Sequence, residues 1–448
     1  MPMTPETILD PYIETRPWDE QRIHDDPYYQ RQMHYLFERS PFYRHKLNAA
    51  GFPDAITVGN LDEIAKLPLT DKDEIRATVT ADDPLGTTLA VPLSGVARIF
   101  TTSGTTGAPS YIGLAPADHA SWVRISARSY AAAGLVTGMR LASTYNAGPF
   151  VGAIGLDAFN RLRLCHVPFG SGNTARLMES IGRLGIQAVA LTPSYALHLA
   201  EWAAAHGIDL RKSSVERLIV AGEPGGGEPA MRNRLQEAWG AKVMEAMGIG
   251  DVAATLWGEC TEQRGMHFNG RGLVHIELID PETGEPRALE NQAEGELVYT
   301  HLAQLAAPLL RFRSRDHVRV WTGKCGCGRT SPRIRCLGRT DDMLIVRGVN
   351  VFPSAIRETV NEFAPAVGGV MVVRPRGRGV RQDPPLPLAV ELAEGGSEDA
   401  ALAERIAARV REALQVTTAV TLVPHGSLPR SSYKSQLVDW SQATAEKD

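Results

Sequence analysis

The stretch IQAVALTPSYALHLAEWAAAHGIDLRKSSVERLIVAGEPGGGEPAMRNRLQEAWGAKVMEAM, residues 186–247, alternates between two hydrophobic periods. It opens with a short apolar run, 186–191, closed by Thr192-Pro193-Ser194, and helical spacing follows through Ala205. A second, half-apolar run at 215–220 ends at Ala221-Gly222-Glu223-Pro224. A helical pattern over 229–239 then leads to a third run at 242–247. Short apolar runs bounded by Gly and Pro predict strands, and the longer patterns between them predict helices. Strand, helix, strand, helix, strand at this spacing predicts a parallel sheet with crossover helices, an α/β fold. Ligands of such folds gather at the carboxyl ends of the strands, where these turns fall.

Outward from this segment the pattern changes in both directions. Residues 1–90 read as a helical lead-in, and 32–50 carry helix-like spacing broken at Ser40-Pro41. Residues 273–279, followed by Asp280-Pro281-Glu282-Thr283-Gly284, and residues 295–300 read as antiparallel strands. Beyond Gly338 a compact α+β unit is predicted: a strand at 343–346, a helix at 354–363, two strands, a helix at 400–414 and a last strand at 419–423. A loop rich in Pro, Arg and Gly, 374–385, interrupts it. The expected division is a large domain over 1–338 and a small one over 341–448, with the boundary near 339–341.

The 448 residues are too many for one simple core, and 43% of them are apolar, ample for a large interior. A net charge of −4 with mixed signs argues against nucleic acid as a partner. No apolar run is long enough to span a membrane, and the polar, acidic start is unlike a signal peptide. Five cysteines in a chain this long do not make a disulfide scaffold. The expected location is the cytoplasm.

TTSGTTGAPS, residues 101–110, is the most informative motif. Two glycines and five hydroxyl residues fall within 101–108. Such a loop can wrap its N–H groups around phosphate oxygens and add hydroxyl donors, and glycine permits the close approach. The Gly-Lys-Ser/Thr ending of a Walker loop is absent. The bland alternative is an ordinary surface turn, which is seldom so dense in these residues.

TSGTTGxP is similar to the nucleotide loop of the adenylate-forming superfamily. Over nearly the whole chain the sequence more closely resembles the phenylacetate-CoA ligases. The likeness runs through SPFYRHKL (40–47), LTPSYALHLAE (191–201), AGEP (221–224), GECTEQRGMHF (258–268), LIDPETGEP (278–286), RFRSRD (311–316), GRTDDMLIVRGVNVFPS (338–354) and LPRSSYKSQ (428–436). It implies a large AMP-binding domain of stacked mixed sheets with crossover helices, and a small mobile C-terminal domain. The implied activity is adenylation of a carboxylic acid, aromatic or arylacetic, with transfer of the acyl group to coenzyme A and release of AMP and pyrophosphate. ATP, Mg²⁺ and coenzyme A are then required, and a homodimer would be in keeping.

By the same resemblance Ser103, Gly104, Thr105, Thr106 and Gly107 cradle the ATP phosphates, and Gly222, Glu223 and Pro224 line the adenine slot with Met247 and Gly248. Asp316 accepts from the ribose hydroxyls, two acceptor oxygens suiting a diol. Arg339 and Asp341 match the hinge; Arg347, Gly348 and Val349 match the pantetheine tunnel. Lys434 matches a catalytic lysine whose ammonium offsets charge growing on the α-phosphorus. Tyr145, Phe150 and Tyr195 fall in segments resembling the aryl pocket. Each of these, taken alone, has a bland reading as a surface ion pair, turn, solvated lysine or core aromatic.

The chain departs from the family where Tyr-Gly-x-Ser/Thr-Glu is usual. Met247-Gly248-Ile249-Gly250-Asp251 stands there, so Asp251 keeps a carboxylate for Mg²⁺ with shorter reach. Gly248-x-Gly250-x-x-Ala253 also mimics a dinucleotide fingerprint, weak on its own. Cys260, His267, Cys325 and Cys327 read as a structural Cys₃His zinc set, against buried free thiols as the alternative. Cys165 and Cys336 read as core residues. Two competing functions share these motifs: adenylation with another acceptor (a carrier phosphopantetheine, an amine or nitrite), and an idle nucleotide-binding homologue.

Overall fold

The computed structural model describes residues 7–102, 110–145, 147–148, 150–170, 172–347, 349–377, 379–397, 399–429, 437–441 and 443. The lead-in consists of α1 (Pro11–Glu14), α2 (Gln21–Arg39), α3 (Pro41–Ala49) and the short α4 (Lys72–Arg76). Ser40 separates α2 from α3: its hydroxyl accepts from Tyr43 N at 3.3 Å, and Pro41 takes the first helical position. α2 starts well before residue 32 and contains Pro27. Burial of Tyr29, Met33 and Leu36 against Tyr43, Leu47, Leu302 and Leu310 outweighs the hydrogen bond that proline removes.

A hairpin of β1 (Arg98–Thr102) and β2 (Ser110–Leu114) precedes α5 (Pro116–Ala132). Next come β3 (Arg140–Ser143), α6 (Ile154–Arg161), β4 (Cys165–Pro168), α7 (Thr174–Leu184), β5 (Ala188–Leu191), α8 (Pro193–Ala205), β6 (Arg217–Val220), α9 (Pro229–Trp239) and β7 (Lys242–Ile249). β4, β3, β5, β6 and β7 are parallel neighbours in that order; the alternation over 186–247 predicts β5, β6 and β7, and β3 and β4 precede that segment. Then follow β8 (Ala253–Glu259), β9 (Met266–Phe268), β10 (Val274–Ile279), β11 (Pro286–Arg287), β12 (Glu294–His301), β13 (Phe312–Trp321) and β14 (Arg333–Arg339), all paired antiparallel. β7 pairs with β8, so among the described residues both halves run on as one twelve-stranded mixed sheet.

Alternate residues of the parallel strands face two cores, as a period of two requires. Leu141, Ala188, Ala190, Ile219 and Met244 pack with α5 and α6. Ala142, Val189, Leu191, Leu218, Val220 and Val243 pack with α7, α8 and α9.

The chain after Arg339 builds its own core, from Leu344 to Val438. Its elements are β15 (Leu344–Val346), β16 (Val349–Val351), α10 (Pro353–Asn361), β17 (Val367–Val373), β18 (Arg381–Gln382), β19 (Leu386–Leu392), α11 (Ala400–Leu414) and β20 (Thr418–Val423). Two small sheets form, β16-β15-β18 and β17-β19-β20. The loop expected over 374–385 contains β18, which pairs in parallel with β15; at two residues it is too short to show as a hydrophobic period.

Candidate active site and a cysteine–histidine cluster

The short helix α4 connects motifs far apart in sequence. Its start is held by Glu74, which accepts from Asp71 N at 2.8 Å. Lys72 Nζ donates to Asp251 Oδ2 at 2.7 Å, Asp71 pairs with Arg315 beside Asp316, and Arg76 Nε donates to Ser110 Oγ at 3.4 Å. Ser110 lies opposite Thr102 in the β1–β2 ladder, so it closes the base of the hydroxyl-rich loop. Ser103, Gly104, Thr105, Thr106 and Gly107 lie outside the described residues, as do Gly348 and Lys434.

Gly222, Glu223 and Pro224 form the turn after β6. Gly222 has φ +94°, a left-handed conformation that favours glycine. Glu223 Oε1 accepts from Ser194 N at 2.7 Å, at the start of α8. Pro224 O accepts from Arg357 Nη2 at 2.9 Å, and Arg357 also pairs with Glu228 at 2.5 Å. Beneath this turn lies Glu245, whose carboxyl is pushed up to about 7 by burial and by the charge of Glu259, against the hydrogen bond from Gly227 N.

Gly248 sits where the β7–β8 register shifts, between Met247 and Ile249. A Cβ there would lie 1.7 Å from Ala254 O, so the backbones meet too closely for any side chain. Met247 pairs opposite Trp257 and packs on the core.

Asp316 and Arg339 face each other across β13 and β14, with Arg339 Nη1 at 3.5 Å from Asp316 Oδ1. Arg339 also grips Asp341 through Nε at 2.9 Å and Nη2 at 2.7 Å. Burial alone would depress this guanidinium; Asp316, Asp341 and Asp342 together hold it above its ordinary value. Burial first, then the charges of Asp316 and Glu245, push the Cys336 thiol up, so the Asp316 strand and the bed of the 222–227 turn lie close together. Thr340 N donates to Arg315 O at 2.7 Å, which ties residues 339–342 to the sheet. Glu296, fully buried, accepts from Arg313 Nη2 at 2.8 Å and from Arg315 N at 3.3 Å, shaping the turn before Asp316. Arg347 has φ +50° in the tight turn between β15 and β16, where Val346 pairs with Val349.

The aromatic candidates divide. Tyr145 stacks on Phe159, centroids 6.1 Å apart, and Phe159 also meets Tyr130 at 4.7 Å and His166 at 5.0 Å. Burial drives the Tyr145 phenol well above its ordinary value and lowers His166, which shares a 2.8 Å contact with Ser143 Oγ and is therefore neutral near pH 7. Phe150 bridges Thr101 by its backbone, next to the hydroxyl-rich hairpin. Tyr195 instead packs on the α7–α8–α9 core, across the sheet from Tyr145, with its hydroxyl 3.0 Å from Thr174 Oγ1. Phe150 thus lies beside the hydroxyl-rich hairpin, Tyr145 packs against the α5–α6 core, and Tyr195 follows Ser194, whose N–H reaches Glu223.

Cys260, His267, Cys325 and Cys327 converge, their ligand atoms all within 4.8 Å of one another. Cys260 Sγ is 3.6 Å from Cys325 Sγ, and Cys327 Sγ is 3.3 Å from His267 Nε2. In tetrahedral zinc thiolate geometry, sulfurs about 2.3 Å from the metal lie about 3.8 Å apart. The donor set and its spacing fit a zinc ion. Ser331 Oγ lies 3.4 Å from His267 Nδ1, an outer contact that orients the ring. The cluster is placed by β9–β14 pairing, which sets His267 opposite Arg333. Cys165, expected in the core, is exposed at the start of β4, the last strand of the sheet, where half the side chains meet solvent. Cys336 is partly buried.

Lys72, Arg76 and Arg357 escaped the sequence reading. Asp71-x-x-Glu74 signals a helix start, but no local pattern reveals the partners of Lys72 or Arg357, which lie more than a hundred residues away in sequence.

Residues 348–439 match the family model for the AMP-binding enzyme C-terminal domain. Phenylacetate-coenzyme A ligase of Thermus thermophilus is 35% identical over 445 residues, 95% of this chain and 97% of that protein. The fold matches 2-hydroxyisobutyryl-CoA ligase in the postadenylation state with 2-HIB-AMP, at a TM-score of 0.89 and 28% identity over 99% of this chain and 94% of that one. Against the thioesterification state of that ligase, with 2-HIB-AMP and CoA, the TM-score is 0.72 at 28% identity, over 100% of this chain and 94% of the other. Placed beside the convergence of α4, Asp251, Asp316 and the hydroxyl-rich hairpin, these likenesses lead to one conclusion: the chain belongs to the phenylacetate-coenzyme A ligase family.

Proposed function

We propose that this protein is an AMP-forming acid–thiol ligase acting on an aromatic or arylacetic acid. The acid's carboxylate attacks the α-phosphorus of ATP, giving acyl-adenylate and pyrophosphate. The thiol of coenzyme A then attacks the acyl carbon, giving the thioester, AMP and a proton. One observation carries the reading: α4 binds together the base of the hydroxyl-rich hairpin, Asp251 and the strand of Asp316. Motifs that would hold phosphates, metal and ribose thus all adjoin one short helix.

In this reading residues 103–107 hold the phosphates, the turn at Gly222, Glu223 and Pro224 lines the adenine with Met247 and Gly248, and Asp316 takes the ribose diol. Lys434 supplies the cation that offsets charge on the reacting phosphorus. Asp251 is the candidate carboxylate for Mg²⁺, and Lys72 Nζ donates to its Oδ2 at 2.7 Å, which orients the group. A bound magnesium would shield the phosphate oxygens from the incoming carboxylate. Tyr145, Phe150 and Tyr195 are the candidates for contact with an aromatic ring. The Cys260–His267–Cys325–Cys327 set would hold structural zinc, tying the β8–β9 turn to the 325–327 loop.

The domains divide near 339–341. There Arg339 and Asp341 act as a hinge, and Arg347, Gly348 and Val349 lie along the thiol tunnel. The higher likeness to a postadenylation form supports assigning the orientation described to the adenylation step. No helix among the described residues is long and apolar enough to cross a membrane, and a cytoplasmic location suits ATP and coenzyme A as co-substrates. A homodimer is in keeping with the family.

The test is acid-dependent ATP–pyrophosphate exchange over a panel of aromatic and aliphatic acids, followed by AMP release with and without coenzyme A. Exchange with aryl acids and accelerated release by coenzyme A are expected. Exchange without that acceleration would point to another acceptor, and no exchange with any acid would overturn adenylation.

A further inference from the structure

Arg357 projects from α10 of the C-terminal unit into the turn after β6, and it is about 5% exposed. Its Nη2 donates to Pro224 O at 2.9 Å and to Glu228 Oε1 at 2.5 Å. From the other side Arg232 of α9 holds the same segment: Nε donates to Gly226 O at 2.7 Å, and Nη2 to Glu259 Oε2 at 2.6 Å. Segment 222–228 is thus gripped by two guanidinium groups. Arg232 is built into the large sheet's own helix; Arg357 arrives from the unit beyond the hinge. The other polar anchors of α10 reach β14 instead, through Glu358 to Arg335 at 2.6 Å and Ser354 Oγ to Leu337 O at 2.5 Å.

We propose that Arg357 is a positioning residue for adenylation: it completes the adenine-side wall only while the C-terminal unit holds the orientation described. This rests on the reading above that residues 222–224 line the adenine and that the small unit turns between half-reactions. When the unit turns, Glu228 loses its cation in a site already crowded by Glu223 and Glu245. A buried carboxylate left without its partner draws in water or a proton, and the turn cannot keep its shape. Nucleotide affinity therefore falls as the unit leaves, which couples AMP release to the rotation. Gly226 and Gly227 leave no slack for another route. A Cβ on Gly226 would meet Val220 Cγ2 at 2.3 Å, and one on Gly227 would meet Glu245 Oε2 at 2.4 Å, so the segment is tightly seated and a shift at Glu228 displaces its neighbours.

The experiment compares wild type with Arg357→Met, similar in length but uncharged, in two assays. One is acid-dependent ATP–pyrophosphate exchange. The other is single-turnover transfer from preformed acyl-adenylate to coenzyme A. The KM for ATP in exchange should rise about ten- to a hundredfold, the scale of losing a charged hydrogen bond. Single-turnover transfer should stay within about twofold of wild type. Glu228→Gln should raise the same KM, and the double variant should be no worse than the worse single one. An unchanged KM for ATP, or an equal loss in both half-reactions, overturns the proposal. Arg357→Lys, which keeps the charge, provides the same comparison if the methionine variant does not fold. It should recover part of the ATP affinity, and a KM no better than that of Glu228→Gln would count against it. Absence of exchange in the wild type would instead overturn the ligase reading itself.

Discussion

Replacing Cys325 by serine should remove the zinc proposed for its cluster and loosen the fold more than it slows the chemistry. Cys325 and Cys260 lie 65 residues apart in the chain, and their sulfurs are 3.6 Å apart. A cross-link closing a loop of that length withdraws about 4 kcal/mol of chain entropy from the unfolded state. A metal bridge acts in the same sense, with the bonding of four buried ligands added. Serine is a poor zinc ligand, so the variant should lose most of this and melt several degrees lower. Metal analysis by inductively coupled plasma mass spectrometry should find about one zinc per chain in the wild type and clearly less in Cys325→Ser. Thermal scans with and without a chelator should separate the wild type from its stripped form, while the variant responds little. The KM for ATP should be nearly unchanged, because the cluster shares no hydrogen bond with Asp316 or the 222–224 turn among the described contacts. Wild-type protein with substoichiometric zinc and a melting point indifferent to both chelator and substitution would refute the reasoning and leave four buried side chains that merely pack.

Lys434→Ala should lower acid-dependent pyrophosphate exchange by several orders of magnitude, with transfer from preformed acyl-adenylate largely surviving; equal loss in both steps would remove this lysine from the chemistry. Gly248→Ala places a methyl 1.7 Å from the Ala254 carbonyl, and relief requires β8 to move, destabilising by about 3 kcal/mol or more; denaturant titration should show this together with weaker exchange, since the same hairpin carries Asp251. Asp25, 2% exposed, has its carboxyl pushed up to about 7 by burial, against the Gln21 hydrogen bond and the charges of Arg271 and Arg16. Its folded value exceeds its unfolded one, so the folded chain keeps the proton longer and loses stability as pH rises from about 4 through about 7, by at most about 4 kcal/mol. Asp25→Asn should therefore melt close to wild type near about pH 4 and above it near about pH 8, and a constant difference across that range would contradict the assignment.

Residues 186–247 determined three of the five parallel strands, β5, β6 and β7, by themselves, because strand and helix periods there are short, clean and bounded by Gly and Pro. The antiparallel strands at 274–279 and 294–301 were legible for the same reason, and the Cys-x-Cys and Cys-x6-His spacings singled out four residues that the fold brings together. Local pattern carries such information because each signal is complete within about a dozen residues. Tertiary structure alone decided that Lys72 would meet Asp251, that Arg357 would reach Pro224, and that Glu296 would brace the turn before Asp316. These contacts join separate elements, and they exist only once α4 meets the β7–β8 turn, β12 pairs with β13 and α10 docks on α9 and β14. The separation of Tyr145 from Tyr195 has the same origin. Both follow strands of one parallel sheet, but Tyr195 lies on α8, whose crossover packs beneath the sheet from the α5–α6 core, and a sheet's two faces are told apart only after it is assembled.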